Sequence, residues 1–205
     1  MDLFEAIRTT RAMRRLDPDR PVSDADVRTI LEAALKGPTG GNQQPIRWLV
    51  IRDQETKDRL QEIYQRCWNR GREPYAAEPG RIAPAVLSSA DHLAEHLHRS
   101  PVLILACADT GPKGRRHDAS VYPSVQNLML AARALGLGTT LTTAHLFEED
   151  AVKDLLGIPP HVTTYALIPV GHPLGKWGEP KRRPLGEVSY HDRWGRPGPD
   201  AGDPA

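Results

Sequence analysis

Pro38-Thr39-Gly40-Gly41-Asn42-Gln43-Gln44-Pro45 is a polar, glycine-paired elbow between an amphipathic helix pattern over residues 23–36 and an apolar strand pattern over residues 48–51. Paired glycines let backbone N–H groups approach a ligand closely. Thr39, Asn42 and Gln44 add side-chain donors and acceptors at the mouth of a sheet. The same residues also serve to stop a helix and start a strand, so the elbow alone leaves a structural and a functional reading open.

Outward from the elbow, helical and strand periods alternate. Asp2 caps a first helix expected to run to about Arg14. Ser23 with Asp26 resembles a capping box, and Val27, Ile30, Leu31, Ala34 and Leu35 share one face of the second helix. A third helix over residues 55–69 turns Leu60, Ile63, Tyr64 and Cys67 inward. Residues 71–84 collect glycine, proline and charge without a period and read as a loop over a site, a lid candidate. Then come a helix over residues 84–98, the most apolar strand over 101–108, and a Leu- and Ala-rich helix over 119–135; the last two form the expected centre of the core. A threonine-rich strand is expected over residues 136–143, a short helix over 148–156 and a last strand over 163–170. Residues 173–195 read as an arm laid over a surface and 196–205 as a disordered tail. The expectation is one domain over residues 1–190.

The 205 residues carry 27 basic and 26 acidic side chains, a net of +1. That balance points to neither nucleic acid nor a membrane surface, and favours a small-molecule partner. Cys67 and Cys107 match no metal or redox spacing. With no signal-like N-terminus and no apolar run of spanning length, the expected location is the cytoplasm.

Arg8, Arg11, Arg14 and Arg15 fall within eight residues. Guanidinium forks suit a phosphate dianion, although a solvated basic face has the same composition. Lys181-Arg182-Arg183 poses the same question in the arm. His92-Leu93-Ala94-Glu95-His96 fits the H-x-x-E-H spacing of inverted zinc peptidases, but it lacks a third ligand and its apolar neighbours explain the helix face, so no metal is expected. Gly136-Leu137-Gly138 follows a helix rather than a strand and is read as a helix C-cap, not a dinucleotide fingerprint. No nucleophile elbow, Walker loop or Cys–His pair is present. Positive groups at both ends, a polar elbow and no acid–base pair describe an enzyme whose cofactor brings the reactive atom.

In this order the pieces resemble the FMN-dependent nitroreductase family, which includes nitro- and quinone reductases and iodotyrosine deiodinase-like enzymes. The likeness rests on Thr10-Arg11-Ala12-Met13-Arg14-Arg15-Leu16, the elbow from Pro38 to Ile46, the Val121 to Gly138 helix with Asn127, Ala131 and Ala132, and Lys181, Arg183 and Pro184-Leu185-Gly186-Glu187-Val188. The resemblance implies an α+β fold, a mixed sheet flanked by helices, in an interlocked homodimer with exchanged C-terminal arms. It implies FMN at the dimer interface and NAD(P)H as electron donor. Thr10, Arg11, Ala12, Met13, Arg14, Lys181 and Arg183 would serve the phosphate end. Pro38, Thr39, Gly40, Asn42 and Gln44 would contact the flavin from the partner chain, and Leu141, Thr142 and Thr143 would line it from below. Trp68 and Tyr122 are the aromatic candidates for the substrate pocket. Thr10, Ala12 and Ile46 depart from the family pattern, at a first arginine, a serine and an aromatic respectively. The implied reaction is ping-pong hydride transfer from NAD(P)H to a nitroaromatic, quinone or similar electrophile. The alternatives are a specialised reaction on the same fold (dehydrogenation or flavin consumption) and a non-catalytic flavin binder.

Overall fold

The computed structural model describes residues 1–77, 82–111, 114 and 116–199, with the side chains of residues 75–77 left out of the description. The elements are α1 (Leu3–Thr9), α2 (Asp24–Ala34), β1 (Ile46–Ile51), α3 (Gln54–Ala77), α4 (Pro84–His96), β2 (Val102–Asp109), α5 (Asp118–Ala134), β3 (Gly138–Thr139), α6 (Glu149–Leu156) and β4 (Val162–Gly171).

The strands form one sheet in the order β1-β2-β4-β3, and each neighbouring pair is antiparallel. The parallel component of the expected mixed sheet is a single bridge, Ala12 to Thr139. β2 is buried from Val102 to Ala108. Its side chains alternate between two cores. Val102, Ile104, Ala106 and Ala108 pack with α2 and α5 on one face. Leu103, Leu105 and Cys107 pack with α3, α4 and α6 on the other. Between Ala106 and Cys107 the register with β4 slips by one residue, leaving Tyr165 as an extra, bulged position. Its hydroxyl accepts the His117 N–H at 2.7 Å and so fixes the entry to α5.

Several local expectations hold. Ser23 caps α2 by accepting from the Asp26 N–H at 3.0 Å, while its hydroxyl donates to the Asp26 carboxylate at 2.7 Å. Gly136, at φ 76°, ends α5 and directs Leu137 N–H back to the Ala132 carbonyl at 2.8 Å. Asn127 reaches from α5 to the Ala33 carbonyl at the end of α2.

Other expectations fail for identifiable reasons. α1 stops at Thr9 rather than near Arg14. The Thr9 and Thr10 hydroxyls return to the Glu5 and Ala6 carbonyls at 2.7 and 2.6 Å, and the Met13 N–H is taken by the Thr139 carbonyl at 2.8 Å. The arginine run is therefore extended chain beside β3. Residues 71–77 are helix, not loop. Gly71 lies so close to Phe147 that a Cβ would sit 2.9 Å from its ring, and Arg72 forks onto Asp91, so tertiary contacts override Gly71 and Pro74. Of the rest of the expected lid, residues 78–81 lie outside the described residues, and Pro84 already begins α4. Of the strand expected over residues 136–143 only Gly138 and Thr139 pair continuously, with Thr142 returning to Leu167 after a two-residue break. Residues 196–199 are not disordered: Gly198 N–H reaches the Ser189 carbonyl at 3.0 Å and Tyr190 bridges Pro197. Residues 200–205 lie outside the description.

α2 and α5 approach most tightly at Gly37, where a Cβ would fall 2.1 Å from Ser124 Oγ and 2.8 Å from its Cα. The second atom is backbone and cannot swing away. Gly37→Ala is therefore expected to lower unfolding stability by about 1–3 kcal/mol with an unchanged m-value, as read by urea denaturation.

Candidate functional site

Two polar groupings gather the sequence candidates, and they lie at diagonally opposite corners of the sheet. The elbow feeds β1 at Ile46, which pairs with Ala108, and Asp109 N–H bonds the Pro45 carbonyl at 2.9 Å. At the other corner Thr139 pairs with Val170, which pairs with Val102 at the opposite end of β2.

The first grouping is a cavity of about 200 Å³ where the arginine strand meets the threonine turn. Arg14, Tyr64, Trp68, Leu87 and Thr140 to Thr142 line it. Met13 N–H to Thr139 anchors the strand, and reciprocal bonds between Thr142 and Leu167 at 3.0 and 2.9 Å anchor the turn. Thr142 Oγ1 lies 2.8 Å from the Tyr64 hydroxyl. Leu141 remains 38% exposed, a large apolar side chain presented rather than packed. Thr143 is exposed at the start of the next turn. Arg14 is half-buried, and burial lowers its pKa from the usual arginine value, with Tyr64 opposing. No carboxylate among the described residues pairs with it. A guanidinium stays charged under these conditions, so a half-buried, unpaired one beside a cavity calls for an anion.

Trp68 belongs to this cavity, its Nε1 donating to Asp91 at 2.9 Å. Tyr122 does not: it packs edge-on against Tyr165 at 6.2 Å in the core on the opposite face of the sheet. Thr10 contributes its hydroxyl to α1, and Ala12 is spent on the bridge to Thr139. Arg11 stands beside Gly178, where the arm passes. The arm is tied to its own chain there: Leu174 N–H bonds the Arg15 carbonyl at 3.0 Å, Trp177 stacks under Arg133 at 4.1 Å, and Glu179 pairs with Arg8 at 2.9 Å. Lys181 and Arg183 follow, exposed.

The second grouping is an open cleft of about 550 Å³ lined by Pro38, Thr39, Gly40, Gly41, Gln43, Arg116, His117 and Ser120. Within the elbow Gly41, Asn42 and Gln44 adopt φ values of 58°, 52° and 51°. Left-handed backbone at two non-glycine residues costs on the order of 1 kcal/mol each, and such strain marks functional loops. Gly40 N–H points to Ser120 Oγ at 3.4 Å and Gln44 N–H to Thr39 Oγ1 at 3.3 Å. Arg116 and His117 escaped the sequence reading because nothing in their spacing marks them; only the Tyr165 bulge brings α5's start to the elbow.

Behind the threonine turn His145 is fully buried. Its Nε2 donates to Thr164 Oγ1 at 3.2 Å, and Thr164 donates in turn to Glu149 at 3.0 Å. Burial pushes the imidazole pKa from 6.5 down to about 4. Cys67 and Cys107 are buried free thiols, and burial pushes Cys107 up to about 12. Among the described residues no group of three His, Cys, Asp or Glu side chains is placed to hold a metal, and no helix is long and apolar enough to cross a membrane.

A helix-flanked antiparallel sheet carries a half-buried cation, without a carboxylate partner among the described residues, at one corner and a strained glycine elbow at the other, in an α+β fold. The family model for the Nitroreductase family matches residues 7–172, and the chain belongs to that family, which places it among the oxidoreductases. It is 30% identical over 179 residues to a Methanothermobacter thermautotrophicus protein provisionally called an NADH dehydrogenase/NAD(P)H nitroreductase, covering 84% of this chain and 78% of that one. A Desulfovibrio desulfuricans protein solved with FMN and described as a provisional nitroreductase superposes with a TM-score of 0.71 at 29% identity, covering 95% of this chain and 98% of that one. The structure of an iodotyrosine deiodinase bound to FMN and 3-iodo-L-tyrosine superposes with a TM-score of 0.74 at 22% identity, covering 89% and 95%, a likeness of fold.

The unfolded imidazole titrates near 6.5 and the folded one near 4, so the unfolded chain takes up the proton first as pH falls. Stability from this group is complete above pH 6.5 and is lost progressively toward pH 4, a decline of about 3 kcal/mol. Urea unfolding across that window should show it, and His145→Gln should flatten the slope.

Proposed function

We propose that the chain is a cytoplasmic, NAD(P)H-dependent FMN oxidoreductase that reduces nitroaromatic, quinone or similar electrophilic small molecules, working as a homodimer. The observation that carries the reading is Arg14: a half-buried cation with no carboxylate partner among the described residues, facing a cavity lined by Thr140, Leu141 and Thr142. FMN, when bound, supplies the hydride-accepting and hydride-donating atom, which this chain lacks.

Each side-chain role follows from its position. Arg11 and Arg14, with Lys181 and Arg183 of the arm, supply positive charge to the cofactor's anionic end. Leu141 offers an apolar surface to a planar ring, with Thr142 and Thr143 as hydrogen-bonding groups at its margin. Pro38, Thr39, Gly40, Asn42 and Gln44 approach from a second copy, because in one chain they sit at the far corner of the sheet. Trp68 walls the cavity and excludes water from part of it, while the open mouth admits donor and acceptor in turn.

The homodimer reading is supported by α1, whose Leu3, Phe4 and Ile7 are 60%, 75% and 51% exposed, and by apolar Leu185, Val188 and Trp194 in the arm. Such a set of uncovered large side chains fits a second copy of the chain.

The visible spectrum of the purified protein tests the reading, recorded before and after adding FMN and then NADPH or NADH without oxygen. The expected result is an oxidised-flavin spectrum that bleaches with the nucleotide and recovers on adding a quinone or nitroaromatic. A protein that stays colourless with excess FMN would sink it. Arg14→Ala should weaken FMN binding by roughly tenfold to a hundredfold, the value of a charge-assisted hydrogen bond of about 1.5–3 kcal/mol. Phe4→Glu should yield a monomer on light scattering and lose FMN with the interface.

A further inference from the structure

We propose that Arg15, His92, His96 and Arg99 form a second oxyanion site, adjoining the Arg14 cavity and built to take a phosphate monoester dianion. Among the described residues no third His, Cys, Asp or Glu joins the H-x-x-E-H pair, but cations do. Arg15 Nη1 lies 3.0 Å from His92 Nδ1, and the two imidazoles stack at 4.3 Å with their planes 22° apart. His92, His96 and Arg99 line a recess of about 90 Å³ that Arg14 also reaches, closed by Ser100 and Leu174. The recess is smaller than the neighbouring Arg14 cavity of about 200 Å³ and suits a small oxyanion.

The charge arrangement lacks its counterpart. Among the described residues neither Arg15 nor Arg99 has a carboxylate partner. Glu95, largely exposed, stands 3.9 Å from His96 Nδ1. Asp91, on the same helix, is taken by Arg72 and Trp68, and Asp17 accepts the Asp19 N–H of its own loop. Leu16, Pro18, Ser100 and Leu174 bring no charge. Arg14 and Arg99 line the recess with the two imidazoles, and Arg15 joins from outside it through His92. Arg15 and Arg99 are exposed, so solvent screens part of their mutual repulsion and an anion among them relieves the rest.

Hydrogen positions follow from the partners. A guanidinium only donates, so His92 accepts at Nδ1 and carries its proton on Nε2. His96 Nδ1 lies 2.9 Å from the His92 carbonyl and so donates to it. Burial, then Arg15 and His96, hold the His92 pKa below 6.5 in the free protein. A bound anion offsets the repulsion from Arg15 and His96 and favours a proton on His92. Phosphate takes up a proton of its own in the same pH range, so the contribution of His92 is read as the difference in proton uptake between the wild type and His92→Gln.

The site stands independently of the flavin reading, although its use by the electron donor rests on it. Titration calorimetry of the purified protein with inorganic phosphate, in two buffers of different ionisation enthalpy, tests it. Saturable binding, weakened about tenfold or more in Arg99→Gln and His92→Gln and with more proton uptake in the wild type than in His92→Gln, is the expected result. Phosphate that competes with NADPH but not with NADH identifies the nucleotide 2′-phosphate as the source; competition with neither identifies free phosphate. Both support the site, as does binding to a protein that holds no flavin. Absence of saturable heat, equal binding by the variants, or displacement of FMN by phosphate would each overturn it, the last by making the recess part of the flavin's own phosphate site.

Discussion

Burial of β2 on both faces is the constraint from which the architecture follows. A strand with no solvent-facing side chain from Val102 to Ala108 needs apolar cover above and below, and one flanking layer cannot provide it. α2 and α5 close one face, while α3, α4 and α6 close the other. The charged and polar groups that line cavities lie at the margins of the sheet, while the polar groups buried within it, His145, Thr164 and Cys107, are neutral or held by neighbours. The threonine turn and the glycine elbow are what remains at those margins.

The two margins differ in chemistry. One corner carries permanent charge in a partly enclosed cavity; the other carries backbone amides held in a strained, open turn. Arg14 is costly to bury alone, and the elbow's left-handed residues are costly to hold without a ligand. Both costs are tolerated in a fold whose centre is apolar and fully packed, which is where the stabilising free energy resides.

Much of this was legible in the sequence. Apolar period gave the helices and both central strands, and the elbow, the threonine turn and the Arg11 to Arg14 run were recognisable from residue type. What the sequence hid were tertiary decisions. Thr9 and Thr10 look neutral in a helix, yet their hydroxyls and the demand of Thr139 for a donor end α1 early. Gly71 and Pro74 read as breakers, yet Phe147 and Asp91 hold that stretch helical. Tyr122 and Trp68 are alike as aromatics on helices, and only the two-faced sheet shows that one is core and the other cavity wall. Arg116 and His117 became visible through the Tyr165 bulge, which no local pattern announces.

The stacking of Trp177 under Arg133 and the pairing of Glu179 with Arg8 make the arm a tethered reagent. From Glu179 to Lys181 and Arg183 is two and four residues, an extended reach of roughly 7 and 14 Å. Two cations on so short a leash are confined to a small volume around Arg11, at an effective concentration of order millimolar or above. The arm thus presents charge as a local electrolyte that no dilution of the protein removes, and among the described residues neither Lys181 nor Arg183 has a carboxylate partner.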